Sequence, residues 1–262
     1  MKNIITKTRK LLRPFKRSYR KYSYKRLNQK IKKYNIYPSE SELYNVPIII
    51  NNFNRLTSLK KMIEQLENLG YHNIHIIDNK STYKPLLDYY KEIKHHVYLF
   101  KKNYGFLALW KSKLYKKFKN QYFVYTDSDI LLNENCPKDF MIYLYNKMCQ
   151  YDASKVGFGL KIDDIPDYNP NKKEIIKHEN QFWENKLEEN IYKARIDTTF
   201  ALYKPNLKYG VNSLGEHIRI CGDYLSIHTP WYNNPLNLSE EEQYYINNSI
   251  RSTHWTSKFK LN

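Results

Sequence analysis

The sequence predicts an α/β protein built on a mostly parallel sheet flanked by helices. Two features carry that expectation. Between Pro47 and Leu132 short apolar runs alternate with segments whose apolar residues recur at helical spacing, the pattern of strands joined by right-handed helical crossovers. The run Tyr122-Phe123-Val124-Tyr125-Thr126-Asp127-Ser128-Asp129-Ile130-Leu131-Leu132 is aromatic and β-branched, and two carboxylates one residue apart interrupt it. It reads as a buried strand with an acidic pair at its carboxyl end, where ligands of open α/β sheets gather. The plainer alternative is a strand closed by an Asp-Ser-Asp turn.

A chain of 262 residues is long enough to bury one full α/β core. Its formal charge of +18 suggests a nucleic-acid binder until the charge is located. Residues 1–33 hold fourteen Lys and Arg and no acid, so only +4 remains for the rest of the chain. A nucleic-acid module would continue its basic residues through the body, interleaved with aromatics. No specific nucleic-acid partner is therefore expected. Cys136, Cys149 and Cys221 have neither metal-ligand spacing nor an even count, which points to a reducing, cytoplasmic setting. No run approaches the roughly 20 apolar residues of a membrane span.

Residues 1–45 read as an N-terminal extension. Ile4-Ile5, Leu11-Leu12, Phe15, Tyr19 and Tyr22 recur at near-helical spacing among Lys and Arg, which predicts a basic amphipathic helix interrupted near Pro14. Such a helix can lie on an anionic membrane surface, remain a solvated tail, or contact nucleic acid. Pro38-Ser39-Glu40-Ser41 leads into the body, residues 46–262.

The half spanning 46–133 opens with the strand Val46–Ile50, a polar turn Asn51–Arg55, and a helix through Leu56, Leu59, Met62, Ile63, Leu66 and Leu69 that Gly70 closes. Ile74–Ile77 is the second strand, ending in Asp78-Asn79-Lys80-Ser81-Thr82. A helix over Lys84–Ile93, a strand Val97–Phe100, the turn Asn103-Tyr104-Gly105-Phe106 and a helix from Leu107 to Phe118 lead to the acidic strand. Its pair, Asp127 and Asp129, suits a hard divalent ion that keeps positions free for phosphate oxygens.

Four of these segments resemble the nucleotide-sugar glycosyltransferases of the GT-A fold, especially the family-2-like bacterial enzymes. They are Pro47-Ile48-Ile49-Ile50 with Asn54-Arg55, Ile76-Ile77-Asp78-Asn79-Lys80-Ser81, Asn103-Tyr104-Gly105, and Asp127-Ser128-Asp129. The resemblance implies that Asp78 bonds the nucleobase and that Asp127 and Asp129 hold Mn2+ or Mg2+ against the donor diphosphate. It further implies that Asn54, Arg55, Asn79, Asn103 and Gly105 line the site of a nucleotide-sugar, foremost a UDP-sugar.

The half spanning 134–262 reads as the acceptor side, with a helix over Cys136–Met148 and a strand over Val156–Ile162. In Asp197-Thr198-Thr199-Phe200-Ala201-Leu202-Tyr203 a carboxylate enters an apolar β run. Burial there would raise its pKa and make it a usable base, the alternative being a turn cap. Ile227-His228-Thr229-Pro230-Trp231 offers His228 as a third metal ligand, with His254 next, although a lone His is more often structural. Ser239-Glu240-Glu241-Glu242 reads as a helix cap whose first-turn acids suit the dipole. The expected function is metal-dependent transfer of a sugar from a nucleotide donor to a hydroxyl of a glycan or lipid-linked acceptor. A nucleotidyltransferase on the same sheet is the rival within the enzymes, weakened by the lack of a Gly-rich phosphate loop with Lys.

Overall fold

The computed structural model of the chain describes residues 13–33, 37–206 and 216–249. Residues 1–12 of the basic segment and His254 lie outside them. The strands are β1 (Ile48–Asn52), β2 (Ile74–Asp78), β3 (His96–Leu99), β4 (Phe123–Asp127), β5 (Ile130–Leu132), β6 (Ala153–Phe158), β7 (Lys186–Glu188), β8 (Ile191–Lys193), β9 (Ala201–Tyr203), β10 (Glu216–Ile220) and β11 (Ser226–His228). Nine of them form one sheet in the order β3-β2-β1-β4-β9-β6-β10-β8-β7. Only β8 and β9 run against the common direction, so the expectation of a mostly parallel α/β sheet is met.

The apolar runs are continuous because both faces of the sheet are covered. Side chains alternate across a strand, and here successive residues feed two cores. Ile48, Ile50, Ile76, Val124 and Leu202 enter one, while Ile49, Ile77, Phe123, Tyr125 and Tyr203 enter the other. The helix Thr57–Asn68 buries Leu59, Met62, Ile63 and Leu66 against the first core. Gly70 follows it at φ +90°, a left-handed position that closes a helix without the penalty of a Cβ.

Parallel register lines the carboxyl ends of β1, β2 and β4 along one edge, pairing Asn52 with Asp78 and Asn51 with Asp127. After Asp127 the chain turns through Ser128 and Asp129 into β5, which pairs antiparallel with β11 and sets Ile130 opposite His228. Two short strands thereby carry a residue from late in the chain to the acidic pair.

Three elements depart from the sequence expectation. The predicted helix Leu107–Phe118 is split into a 3-10 turn (Gly105–Leu107) and two short helices (Ala108–Lys111 and Tyr115–Phe118), with Lys113 left-handed at φ 70°. Ser112 explains the break, since its hydroxyl donates to the Leu109 carbonyl and accepts from the Leu114 amide, offering the backbone a partner other than the helical one. The run Asp197–Tyr203 yields only the three-residue β9, which inserts antiparallel between β4 and β6. The acidic first turn of the helix Glu240–Asn248 does more than cap. Besides the cap bond from Glu242 N to Ser239 Oγ, Glu241 and Glu242 reach across to the turn after β1.

The basic helix Arg13–Lys33 begins with Pro14 in its first turn and lies against the body. Ile31 is buried in the second core. Asn28 Nδ2 donates to both Asp152 oxygens, at 2.8 and 2.9 Å, and Lys204 Nζ reaches Asp152 Oδ1 at 2.8 Å and Tyr24 Oη at 2.9 Å. Asp152 and Lys204 flank the amino-terminal end of β6 and the end of β9. This docking is thus at the sheet edge opposite Asp127. No helix among the described residues is long and apolar enough to cross a membrane.

Candidate active site

A cavity of ≈ 590 Å³ opens at the carboxyl ends of β1, β2 and β4. Asn51, Arg55, Asn79, Asn103, Gly105, Asp127, Asp129 and His228 line it, together with the aromatic faces of Phe53, Tyr104, Phe106 and Tyr245. Most of the expected site residues therefore converge.

Asp127 ends β4 and is held on both oxygens. Asn51 Nδ2 donates to Oδ1 at 3.0 Å, and Thr198 Oγ1 donates to Oδ2. The backbone repeats the link, with Asp127 N donating to Thr198 O at 3.0 Å. Burial first, and then the charge of Asp129, push the Asp127 carboxyl up to about 7, against the lowering pull of those two hydrogen bonds. Two carboxylates crowded at the end of a buried strand call for a cation.

Asp129 Oδ2 has two nitrogen neighbours, Arg55 Nε at 3.5 Å and His228 Nε2 at 3.7 Å, neither close enough for a hydrogen bond. Burial pulls the His228 imidazole below its ordinary range, so the ring is neutral at pH 7, the form that ligates metals. Oxygen and imidazole bonds to a small divalent ion are about 2.1 Å long, so two ligands on one ion stand about 3 Å apart when adjacent and about 4 Å when opposite. The 3.7 Å between Asp129 and His228 falls inside that span. Among the described residues no three His, Cys, Asp or Glu side chains stand close enough together to hold a metal ion by themselves. The donor set fits an ion that takes its remaining ligands from phosphate oxygens, as Mg2+ and Mn2+ do with nucleotides.

Other expected residues have different work. Asp78 does not line the cavity: Oδ1 accepts from Ser81 N at 2.8 Å and Oδ2 from Tyr90 Oη at 3.1 Å. Asn54 is likewise turned away, left-handed at φ 51°, with Oδ1 accepting from Thr82 N and Tyr83 N at the start of the helix Lys84–Glu92. Both residues shape the turns beside the cavity and stand outside its lining. Asn79 lines the wall but is saturated. Its Nδ2 donates to Asn51 Oδ1 and Gly105 O, and its Oδ1 accepts from Tyr104 N, so it fastens the 103–105 loop to β1. Gly105 adopts φ +65°, a conformation that a side chain disfavours.

Asp197 is exposed, in the loop before β9. The expected burial of its carboxylate is absent: Asp197 faces solvent while its neighbours Ile196 and Thr198 are buried. Its backbone is fixed nonetheless. Buried Lys155 donates from Nζ to the carbonyls of Ile196 at 3.1 Å and Asp197 at 2.6 Å, and burial drops that amine to about 7. Lys155 thus braces the loop that delivers Thr198 to Asp127.

The sequence reading missed Asn51, Thr198, Lys111, Glu242 and Tyr245. Asn51 was legible as the β1 residue that parallel register sets beside Asp127. Glu242 and Tyr245 carried no signal, because what brings Glu242 to Arg55 and Tyr245 to the cavity is the packing of the helix Glu240–Asn248 on the β1 turn.

No protein-family model and no curated protein matches the sequence. Among solved structures the chain is similar to the crystal structure of GalNAc-T7 with UDP, GalNAc and Mn2+. The identity is 12% and the TM-score 0.45, over 70% of this chain and 43% of that one. The chain thus spans less than half the length of that protein.

Proposed function

We propose that the chain is a metal-dependent glycosyltransferase of GT-A type that moves a sugar from a nucleotide donor, a UDP-sugar first, to a hydroxyl of a glycan or lipid-linked acceptor. Surface polysaccharide or glycoconjugate synthesis is the setting that fits such acceptors. One observation carries the reading. Asp127 and Asp129 stand at the carboxyl end of a central parallel strand, in a cavity that also holds neutral His228 and four aromatic faces.

In this reading Asp127, Asp129 and His228 hold Mn2+ or Mg2+. When bound, the ion supplies Lewis-acid relief of the charge on the departing diphosphate. Asn51 and Thr198 keep Asp127 in the orientation that serves it. Lys111 lines the same cavity and adds a positive charge for phosphate oxygens. Phe53, Tyr104, Phe106 and Tyr245 offer stacking faces for base and sugar. For an inverting transfer Asp197, exposed in the loop before β9 and outside the cavity lining, takes the acceptor proton. For a retaining transfer it binds the acceptor instead. The basic segment 1–33 attaches the protein to an anionic membrane surface, each nearby Lys or Arg contributing about 1 kcal/mol.

The test is a screen of nucleotide-sugars for hydrolysis and transfer, with and without Mn2+. Cleavage of at least one donor that stops in excess EDTA is expected. Failure of every donor with Mn2+ present, or full turnover in EDTA, contradicts the reading.

A further inference from the structure

Arg55 was expected from the sequence to bind the donor, but both of its terminal nitrogens are already used. Glu242, from the helix Glu240–Asn248, takes Nη1 at 2.5 Å and Nη2 at 3.1 Å. The Tyr245 ring lies 3.8 Å from the guanidinium carbon and fixes that group from its face. Arg55 and Glu242 are both buried. Only Nε remains, a buried donor with no hydrogen bond, in a long ion pair with Asp129 Oδ2 at 3.5 Å.

That spacing is informative because an arginine and a carboxylate this close and this dry ordinarily join in a two-pronged pair. Joined in that way, Asp129 would be neutralised and its oxygens taken, leaving nothing for a divalent ion. Glu241 strengthens the restraint from the next position. Its carboxylate accepts from Leu56 N at 2.9 Å and from Thr57 N and Oγ1, bolting the helix to the turn that carries Arg55.

We propose that Glu242 is a positioning residue that holds Arg55 off Asp129, keeping that carboxylate free to receive a divalent ion. The inference rests on the metal reading above and adds a function for a helix distant in sequence from the acidic pair. Glu242 touches neither ion nor substrate. Its effect passes through Arg55.

The competition has a distinctive signature. Removing Glu242 alone releases the guanidinium onto Asp129, whereas removing both partners leaves Asp129 unopposed. A buried ion pair replaced on both sides by apolar groups of similar volume is commonly tolerated. The experiment measures Mn2+ binding to the full-length protein in the presence of UDP, by the loss of the free Mn2+ paramagnetic resonance signal. It compares wild type, Glu242→Gln and the double variant Arg55→Met/Glu242→Met, with melting temperature and circular dichroism on each.

The expected result is a dissociation constant about tenfold higher for Glu242→Gln and within about threefold of wild type for the double variant. Should Glu242→Gln not fold, the double variant decides alone, and weak Mn2+ binding by it overturns the inference. Wild-type affinity in folded Glu242→Gln, or a double variant as weak as the single, overturns it while leaving the metal site standing. Wild-type protein that fails to take up Mn2+ with UDP present overturns the metal reading itself, and this inference with it.

Discussion

Thr198 Oγ1 donates to Oδ2 of Asp127, while the Asp127 amide donates to the Thr198 carbonyl, 71 residues along the chain. The double link ties the loop before β9 to the carboxyl end of β4. It holds the second carboxylate oxygen of Asp127, the first being held by Asn51 of the neighbouring β1.

Thr198→Val keeps the shape and removes the donor. Leaving a buried acceptor with one partner fewer should lower stability by about 1 to 2 kcal/mol and weaken Mn2+ binding in the presence of UDP. Thr198→Ser should restore both. Thermal unfolding and metal titration on the three proteins check this, and a Val variant with unchanged metal affinity would detach Thr198 from the site.

Asp197→Asn separates chemistry from architecture. If Asp197 takes the acceptor proton, the amide keeps the shape but cannot accept it, so turnover should fall at least about a hundredfold with donor affinity preserved. An exposed loop residue with no other task would leave turnover per folded molecule near normal. Donor dissociation constant, turnover and melting temperature on one preparation distinguish the two.

Two buried rings set a pH dependence of stability. Burial lowers His75 to about 4 and His217 to about 3, with Lys117 and Lys155 respectively adding to the fall. Both stay neutral in the fold, whereas in the unfolded chain they bind protons below about 6.5. At these two rings the unfolded state holds more protons as pH drops below about 6.5, which costs at most about 1.4 kcal/mol per pH unit for each ring. Asp127, raised to about 7 in the fold, takes up its proton there and offsets about one ring, so stability should still fall. Denaturant unfolding at pH 7, 6 and 5 should show the decline, and His217→Gln should flatten it. A stability that is constant from pH 7 to 5 would contradict the assignment.

Attachment to an anionic surface is best tested without deleting the basic helix, because Tyr24, Asn28 and Ile31 dock it to the body. Lys25, Arg26 and Lys30 are exposed, so a Lys25→Glu/Arg26→Glu/Lys30→Glu variant reverses charge while leaving those contacts in place. Flotation with phosphatidylserine vesicles at low salt should retain wild type and release the variant, and salt should release both. Equal flotation of the two proteins refutes the membrane role of this face.

The strands β1, β2 and β4 and the helix Thr57–Asn68 were legible because each satisfies a local rule, a continuous apolar run or a helical period, that burial on both sheet faces enforces. Asp127 and Asp129 were legible for the same reason, as charges interrupting such a run. Less visible was everything that depends on pairing between distant segments. Nothing local announces that β9 enters antiparallel between β4 and β6, that β11 sets His228 beside Asp129, or that Glu242 crosses to Arg55. Asp78 and Asn54 show the converse. Their positions in the sequence were read correctly, but whether a side chain faces a cavity or its own turn is decided by the hydrogen bonds offered nearby, here from Ser81, Tyr90, Thr82 and Tyr83.

The most direct test of the account is calorimetric titration of UDP into wild-type protein and Asp129→Ala, each in Mn2+ and in excess EDTA. Wild type should bind UDP in Mn2+ and at least about tenfold more weakly in EDTA, and Asp129→Ala, folded by circular dichroism, should show only the weak binding in both. Equal UDP affinity for wild type with and without the metal would contradict it.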